Sequence, residues 1–144
     1  MDSAGNIYIA DTLNERIRVV NTGTSEITIA TVVIPAGDIE AVAGDGTAGY
    51  NGDGIAAIDA DLSGPAGVAV DAASNIYIAE GNRIRKVTAT TGLISTMAGD
   101  GTAGYNGDGI TATGAELDVS YSVDAAGNIY IADEYNQRIR VVGP

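Results

Sequence analysis

The chain alternates short runs of apolar and polar positions with a period of two, and glycine-rich turns interrupt these runs. Within residues 65–98 the runs are PAGVAVD, IYIAE, RIRKV and LISTMAG, separated by AASN, GN and TATTG. Alternation over four to eight residues, bounded by Gly, Asn, Ser and Thr, is typical of half-buried β-strands joined by tight turns. The pattern therefore predicts four short strands in this stretch and leaves no room for a helix.

Three motifs recur in the same order along the chain. NIYIA begins at Asn6, Asn75 and Asn128, and RIR begins at Arg16, Arg83 and Arg138. The segment AGDGTAGYNGDGI occurs twice without a mismatch, at residues 43–55 and 98–110, a displacement of 55 residues. The RIR copies are 67 and 55 residues apart, so the first repeat carries 12 extra residues within residues 21–38. We interpret this insertion as a hairpin.

Four short strands in each repeat predict the blade of a β-propeller, because a lone four-stranded sheet cannot cover both of its faces. We assign residues 1–144 to one all-β propeller segment of about three blades, with repeats at about 1–43, 44–98 and 99–144. The four strands of a blade are named a to d from the inside outward. The first repeat offers strands b to d, the second offers a to d, and the third offers a to c. The NIYIA segments are the predicted middle strands, with GVAV and residues 119–123 as inner strands.

Composition supports the all-β prediction and excludes several kinds of chemistry. The chain has 17 Ile, 12 Val and 13 Thr against 4 Leu, and β-branched side chains suit a pleated surface. It has no Cys and no His, which excludes thiol and imidazole nucleophiles, histidine bases, cysteine zinc sites and disulfides. Catalysis or metal binding would have to use carboxylates, hydroxyls, Lys86 or the backbone.

Charge restricts the partners. With 19 acidic and 7 basic residues the formal net charge is −12, which repels nucleic acid and anionic membranes and favours cations or basic partners. No apolar run approaches the roughly 20 residues that span a bilayer. The first residues, MDSAGNIYIAD, also lack the basic and apolar regions of a signal peptide. We therefore expect neither a nucleic-acid partner nor a membrane span.

Six of the seven basic residues lie in the RIR strands, where alternation places each arginine pair on one strand face. One interpretation is a set of ion pairs across the hairpin between strands b and c, with Asp11, Glu80 and Asp133. The other is a ring of guanidinium groups that grips carboxylates or phosphates. We expect the ion pairs, because the arginines recur in every repeat and the net charge opposes anion binding.

The two identical segments contain the candidate metal ligands Asp45, Asp53, Asp100 and Asp108, each followed by Gly. Such dipeptides form turns, and this is the first interpretation. The second is a Ca²⁺ site built from loop oxygens, to which Asp59, Asp61, Glu116 and Asp118 could add ligands. The spacing matches neither an EF-hand nor a glycine-rich calcium repeat. We assign no catalytic residue and no cofactor other than this possible calcium.

Tyrosines occupy two kinds of repeated position. We expect Tyr8, Tyr77 and Tyr130 to pack between blades, together with the flanking isoleucines, because a propeller buries both faces of each blade. We expect Tyr50 and Tyr105, in the identical segments, to be buried anchors with satisfied hydroxyl groups. The alternative for this second pair is a platform on which a ligand stacks.

The stretches GPAGVAVDAASNIYIAEGNRIRKV, DSAGNIYIADTLNERIRVV and DAAGNIYIADEYNQRIRVV closely resemble the NHL repeat. AGDGTAGYNGDG resembles the linker between blades of bacterial members. The resemblance implies a propeller, typically of six blades, whose members mostly bind proteins, RNA or glycans, while a few are enzymes. It also implies an extracellular or cell-surface location, and it specifies no single ligand.

We therefore expect a non-catalytic scaffold or binding module. About three blades would leave two blade faces uncovered, which favours a homo-oligomer. A pair of copies closing six blades is the first expectation and a head-to-tail open chain the second, with residues 26–34, EITIATVVI, adding a strand where copies meet. A protein or glycan is a further possible partner. The alternative function is a calcium-dependent lyase- or lactonase-like enzyme with its metal in the central channel.

Overall fold

The computed structural model describes residues 1–118, 128–143 and the backbone of 120–124. These residues form an all-β fold, as predicted. The strands are β1 (Ile7–Asp11), β2 (Arg16–Val20), β3 (Ile27–Ile29), β4 (Val32–Ile34), β5 (Ile39–Ala43), β6 (Ile55–Ala56), β7 (Pro65–Val70), β8 (Ile76–Glu80), β9 (Arg83–Val87), β10 (Leu93–Ala98), β11 (Ser120–Asp124), β12 (Ile129–Asp133) and β13 (Arg138–Val142). Single 3-10 turns lie at Thr12–Asn14, Ala57–Asp59 and Ala112–Gly114.

The strands form three antiparallel sheets and one separate hairpin. Blade 1 has the order β1-β2-β5, blade 2 the order β6-β10-β9-β8-β7, and blade 3 the order β11-β12-β13. The NIYIA strands β8 and β12 are middle strands beside the inner strands β7 and β11, as the repeats predict. Strand β1 forms the edge of blade 1, because no inner strand pairs with it among the described residues. Val119, at the start of the predicted third inner strand, lies outside the described residues. The short strand β6 adds a fifth, outermost strand to blade 2.

A repeated turn precedes strands β1 and β8. In blade 2 the Asp71 carboxylate accepts hydrogen bonds from the backbone N–H of Asn75 at 2.8 Å and from its side-chain amide at 2.8 Å. The turn needs a positive φ just before the asparagine, and Ser74 has φ +64° where Gly5 in blade 1 has +90°. Gly127, the predicted counterpart in blade 3, lies outside the described residues.

The hydrophobic core consists of two layers, one between each pair of neighbouring blades. In each layer the tyrosine face of one blade packs on the isoleucine face of the next. The first layer includes Tyr8, Ile17 and Val19 of blade 1 with Ile76, Ile78, Val87 and Ile94 of blade 2. The second includes Tyr77 and Ile84 of blade 2 with Leu117, Ile129 and Ile131. The same residue types therefore meet at both internal interfaces.

The inserted segment forms the hairpin β3-β4, as interpreted from the sequence, and its apolar side chains pack inside the chain. Ile29, Ala30 and Ile34 are buried in the core layer between blades 1 and 2. The hairpin tip also reaches the turn of blade 2 at Gly92, where an added Cβ would lie 2.7 Å from the Ala30 carbonyl oxygen. The expectation that residues 26–34 supply an intermolecular strand was wrong, because their apolar side chains already complete an internal interface.

Candidate functional site

One end of the blade stack exposes a face that is buried at both internal interfaces. This near face of blade 1 contains Ile7, Ile9 and Ile39, and Ile7 is 42% exposed. The counterparts in blade 2 are Ile76, Ile78 and Ile94, all of which are 0% exposed. Since the residue types are the same, the difference comes from the neighbouring blade that covers blade 2 and is not present beside blade 1.

The opposite end exposes the complementary face. The far face of blade 3 contains Tyr130, Ile139 and Val141, with Ile139 73% exposed. Its counterparts in blade 1 are Tyr8, Ile17 and Val19, which are buried against blade 2. The prediction that Tyr130 packs in the core was therefore wrong for this chain, because that burial requires a further blade. The two ends together carry both halves of an interface that the chain forms twice internally.

Arginine clusters hold the loops that connect the blades. In blade 2, Arg85 Nη1 lies 2.9 Å from Glu80 Oε1, and Arg85 Nη2 lies 3.2 Å from Asp53 Oδ1. Nη2 also donates to the carbonyl oxygen of Gly52 at 2.7 Å. Burial raises the pKa of the Glu80 carboxyl, although hydrogen bonds from Arg85 and from the Ser63 backbone N–H oppose this rise. The guanidinium thus ties strand β9 to the loop that enters blade 2.

Blade 3 repeats this cluster at the same sequence positions, with a different guanidinium nitrogen facing the aspartate of the loop. Arg140 Nη2 donates to the carbonyl oxygen of Gly107 at 2.7 Å, and Nε lies 3.1 Å from Asp108 Oδ1. Nη1 lies 3.5 Å from Asp133 Oδ2. The predicted ion pairs across the hairpin between strands b and c are confirmed in blades 2 and 3.

In blade 1 the corresponding arginine is open to solvent. Arg18 Nη1 lies 3.5 Å from Asp11 Oδ2, which is the predicted ion pair. The Arg18 side chain is 37% exposed, whereas that of Arg85 is 0% exposed. A cleft of about 310 Å³ lies beside it, lined in part by Asn14, Arg16 and Glu40. In blades 2 and 3 a connecting loop covers this position. The near face of blade 1 therefore joins an apolar surface to an accessible guanidinium.

The two loop tyrosines stack on arginines. The guanidinium carbon of Arg83 lies 4.0 Å from the ring centroid of Tyr50, and that of Arg138 lies 3.9 Å from the ring of Tyr105. Both rings are exposed, so the expectation of buried anchors was wrong. A ring whose partner is a guanidinium is covered on one face, which leaves the other face in water. Sequence reasoning missed this contact, although the tyrosines recur in register with the arginine pairs.

The candidate calcium ligands divide into two kinds. Asp45 and Asp100 each accept the backbone N–H two residues later, from Thr47 and Thr102, at 2.7 Å. They act as turn formers, which was the first interpretation of these dipeptides. Their backbone carbonyl oxygens accept hydrogen bonds from the first arginine of the preceding RIR strand, at 2.6 Å for Arg16 and Asp45.

The other two candidates, Asp53 and Asp108, are ion-paired with Arg85 and Arg140 respectively. Asp108 also accepts a hydrogen bond from the Tyr105 hydroxyl at 2.7 Å, which lowers the pKa of Asp108 and raises that of Tyr105. Among the described residues no group of three or more acidic side chains is placed to share a metal ion. The structure does not bring the four aspartates together, and calcium binding stays a prediction.

The blade geometry agrees with comparisons to known proteins. The family model of the teneurin NHL domain matches residues 1–104. The chain belongs to the teneurin NHL domain family. It is 38% identical over 103 residues to Teneurin-3 of Danio rerio, an alignment that covers 66% of this chain and 4% of that protein. The NHL-repeat resemblance seen in the motifs is confirmed.

A solved structure supports the same fold for this teneurin NHL family member. A protein of unknown function from Bacteroides thetaiotaomicron VPI-5482 superimposes with a TM-score of 0.72 and 25% identity, covering 94% of this chain and 32% of that one. The chain thus spans about a third of the solved protein and a small part of the teneurin. In the described part of the chain, no helix is long and apolar enough to cross a membrane.

Proposed function

We propose that this chain is a non-catalytic β-propeller scaffold and binding module that associates head to tail. The far face of blade 3 in one copy packs on the near face of blade 1 in the next. The observation that carries the proposal is the exposure, at the two ends, of residue types that are buried at both internal interfaces. Heterologous contacts of this kind close into rings when the rotation fits and otherwise extend into open chains.

The two end faces of the blade stack both expose large apolar side chains, so each can cover the other. Tyr130, Ile139 and Val141 offer an apolar surface, and the near face of blade 1 offers three isoleucines. Exposed apolar patches of this kind commonly mark interaction sites on soluble domains. Two copies of about three blades give six blades, so a closed pair is the first arrangement that we propose and an open chain is the second.

Location and further partners are proposed on the resemblance to NHL proteins. We propose an extracellular or cell-surface setting, with a protein or glycan as a partner beyond the second copy. No constellation among the described residues favours the lyase- or lactonase-like alternative. The acidic residues of the two identical segments recur at equivalent positions of the two blades, whereas catalysis needs an asymmetric arrangement of groups.

Sedimentation equilibrium of the purified chain tests the proposal. The monomer mass is 14.5 kDa, so a closed pair gives twice 14.5 kDa, about 29 kDa, over a broad concentration range. An open chain gives a series of larger species that grows with concentration. A folded chain that remains at 14.5 kDa at micromolar concentration, with a cooperative unfolding transition, contradicts the proposal.

A further inference from the structure

The loops that enter blades 2 and 3 each contain one Asn-Gly dipeptide, Asn51-Gly52 and Asn106-Gly107, and the sequence has no other. An asparagine side chain deamidates most readily before glycine, because a residue without a Cβ lets its backbone nitrogen reach the amide carbon. Both dipeptides lie within the identical segments 43–55 and 98–110. They therefore share one intrinsic reactivity, and a difference between their rates reports on the surrounding structure.

The asparagine amide closes each loop through two backbone hydrogen bonds. In blade 2, Asn51 Nδ2 donates to the carbonyl oxygen of Asp59 at 3.0 Å, and Asn51 Oδ1 accepts the backbone N–H of Asp61 at 2.9 Å. Asn106 makes both equivalent bonds in blade 3, each at 2.9 Å. A carboxylate could keep the second bond but would lose the first, because it has no N–H to donate. The two bonds together therefore require an amide side chain.

The glycine of each dipeptide is held by an arginine. Gly52 has φ +114° and Gly107 has φ +117°, a backbone conformation that residues with a Cβ rarely adopt. The carbonyl oxygen of Gly52 accepts a hydrogen bond from Arg85 Nη2 at 2.7 Å, and that of Gly107 accepts one from Arg140 Nη2 at the same distance. The guanidinium that ties each loop to its blade thus restrains the residue whose nitrogen would attack the asparagine.

We propose that Asn51 and Asn106 are deamidation sites, and that Arg85 and Arg140 act as positioning residues that keep them unreacted while the loops stay closed. In the reaction, the glycine nitrogen loses its proton and bonds to the asparagine Cγ, and the amide nitrogen takes up a proton and leaves as ammonia. Water then opens the cyclic imide at either carbonyl, which gives aspartate or isoaspartate. Attack requires the amide to leave its backbone partners and the glycine to rotate away from the guanidinium, so the reaction needs local opening of the loop.

The product of the reaction weakens the connection between two blades. A carboxylate at position 51 loses the hydrogen bond to the Asp59 carbonyl oxygen and adds a negative charge to a chain whose formal net charge is −12. Isoaspartate also lengthens the main chain by one carbon, which displaces Gly52 from the Arg85 guanidinium. The inference goes beyond head-to-tail association, since a chain that stays monomeric keeps both loops.

The two sites fall in different tryptic fragments, residues 19–83 and 87–138, so peptide mass spectrometry measures each deamidation rate separately. The complete chain is incubated at mildly alkaline pH, folded in buffer and unfolded in guanidinium chloride. We expect equal rates at the two sites in the unfolded chain and rates lower by about tenfold or more in the folded chain, because opening a loop costs free energy. Smaller protection at either site, or no reaction in the unfolded chain, overturns the proposal.

Arg85→Met tests the guanidinium, with the second site of the same molecule as the internal control. It should raise the rate at Asn51 by about tenfold and leave Asn106 unchanged, and Arg140→Met should do the reverse. Ile34→Ala, which removes a buried side chain outside both loops, should leave the ratio of the two rates unchanged. An unchanged ratio in Arg85→Met means that deamidation follows global unfolding and overturns the proposal. Arg140→Met, whose wild-type side chain is 11% exposed, decides the question if Arg85→Met fails to fold.

Discussion

Arg85 Nη1 lies 2.9 Å from Glu80 Oε1, and neither side chain is more than 2% exposed. The loop that enters blade 2 covers this pair and adds the Asp53 carboxylate and the Gly52 carbonyl oxygen to the guanidinium. Arg18 occupies the same position in blade 1, where no such loop covers it, and its Nη1 lies 3.5 Å from Asp11 Oδ2. One sequence motif therefore produces a buried ion pair in one blade and an accessible one in another.

The Arg85→Met substitution should lower the free energy of unfolding by about 3–5 kcal/mol, because it leaves Glu80 charged and buried without its partner. The matched variant is Arg18→Met, which removes a partly exposed ion pair and should cost about 1 kcal/mol or less. Urea unfolding of both variants measures the difference. Equal losses in the two variants would show that the loop over Arg85 does not bury the pair.

Stability should depend on pH through Asp71. Burial acts to raise the pKa of Asp71, but the side-chain and backbone hydrogen bonds from Asn75 outweigh it and hold the pKa below its ordinary value. A lowered pKa stabilises the fold above the unfolded value of about 3.9, and this contribution is lost as the pH falls through the folded pKa. Asp71→Asn should therefore cost about 1–2 kcal/mol at pH 7 and progressively less below about pH 4.

Chemical unfolding of the wild-type chain and Asp71→Asn at pH 7 and pH 3 measures this dependence. Asp59→Asn is the control, since Asp59 is an exposed acid in a surface turn. It should leave the free energy of unfolding nearly unchanged at pH 7. A cost for Asp71→Asn that is the same at both pH values contradicts the role of the charged carboxylate.

The hairpin β3-β4 should act as part of the core. Ile34→Ala removes a fully buried side chain from the layer between blades 1 and 2 and should cost about 2–5 kcal/mol. Val33→Ala, one residue earlier on the exposed side of β4, should change stability by about 0.5 kcal/mol or less. Thermal unfolding compares the two. Similar small effects would mean that the hairpin packs loosely against the blades.

The calcium hypothesis predicts that chelator lowers the melting temperature and that excess Ca²⁺ restores it. A cation that binds only the folded chain, at a free concentration of 100 times its dissociation constant, raises the free energy of unfolding by about 2.7 kcal/mol. The double substitution Asp45→Asn and Asp100→Asn should abolish the response, and Mg²⁺ should reproduce it poorly. An unchanged melting temperature with chelator and with millimolar Ca²⁺ rejects a structural calcium site in the identical segments.

The blade order was predictable because each repeat carries its own strand and turn signals. The alternation around Ile76 and Ile78 specifies which side chains share a face, and the Asp71 to Asn75 turn specifies where the strand begins. These local rules apply to each repeat independently. The pairing of an RIR arginine with Glu80 also followed, since β8 and β9 are antiparallel neighbours. The sequence did not indicate that Arg85 makes this pair, because Arg83 is the residue opposite Glu80.

The features that could not be predicted from the sequence depend on contacts between different blades and loops. Ile9 and Ile78 occupy equivalent positions of identical motifs, yet only the second is completely buried, because burial depends on the blade that lies opposite. Tyr50 was expected to be a buried anchor with a satisfied hydroxyl group, but an arginine pair from the following blade gave it an exposed stacking position. The hairpin was recognised as an insertion, and its contact with Gly92 could not be inferred from periodicity.

Head-to-tail association is the central claim, and it specifies which pairs of variants can associate. Ile139→Asp damages the far face of blade 3, and Ile9→Asp damages the near face of blade 1. Every junction needs one far face and one near face, so each variant alone should sediment as a monomer. An equimolar mixture contains one intact face of each kind and should form a pair with a single junction. Leu13→Asp, on an exposed turn, should associate like the wild-type chain.

Sedimentation velocity of the two variants, alone and mixed, is the most direct test. We expect 14.5 kDa for each variant alone and about 29 kDa, twice that mass, for the mixture. Association of either variant alone would show that the contact uses like faces or another surface. Monomers in the mixture, together with an associating wild-type chain, would contradict a junction between one far face and one near face. A wild-type chain that is itself monomeric would contradict the claim outright.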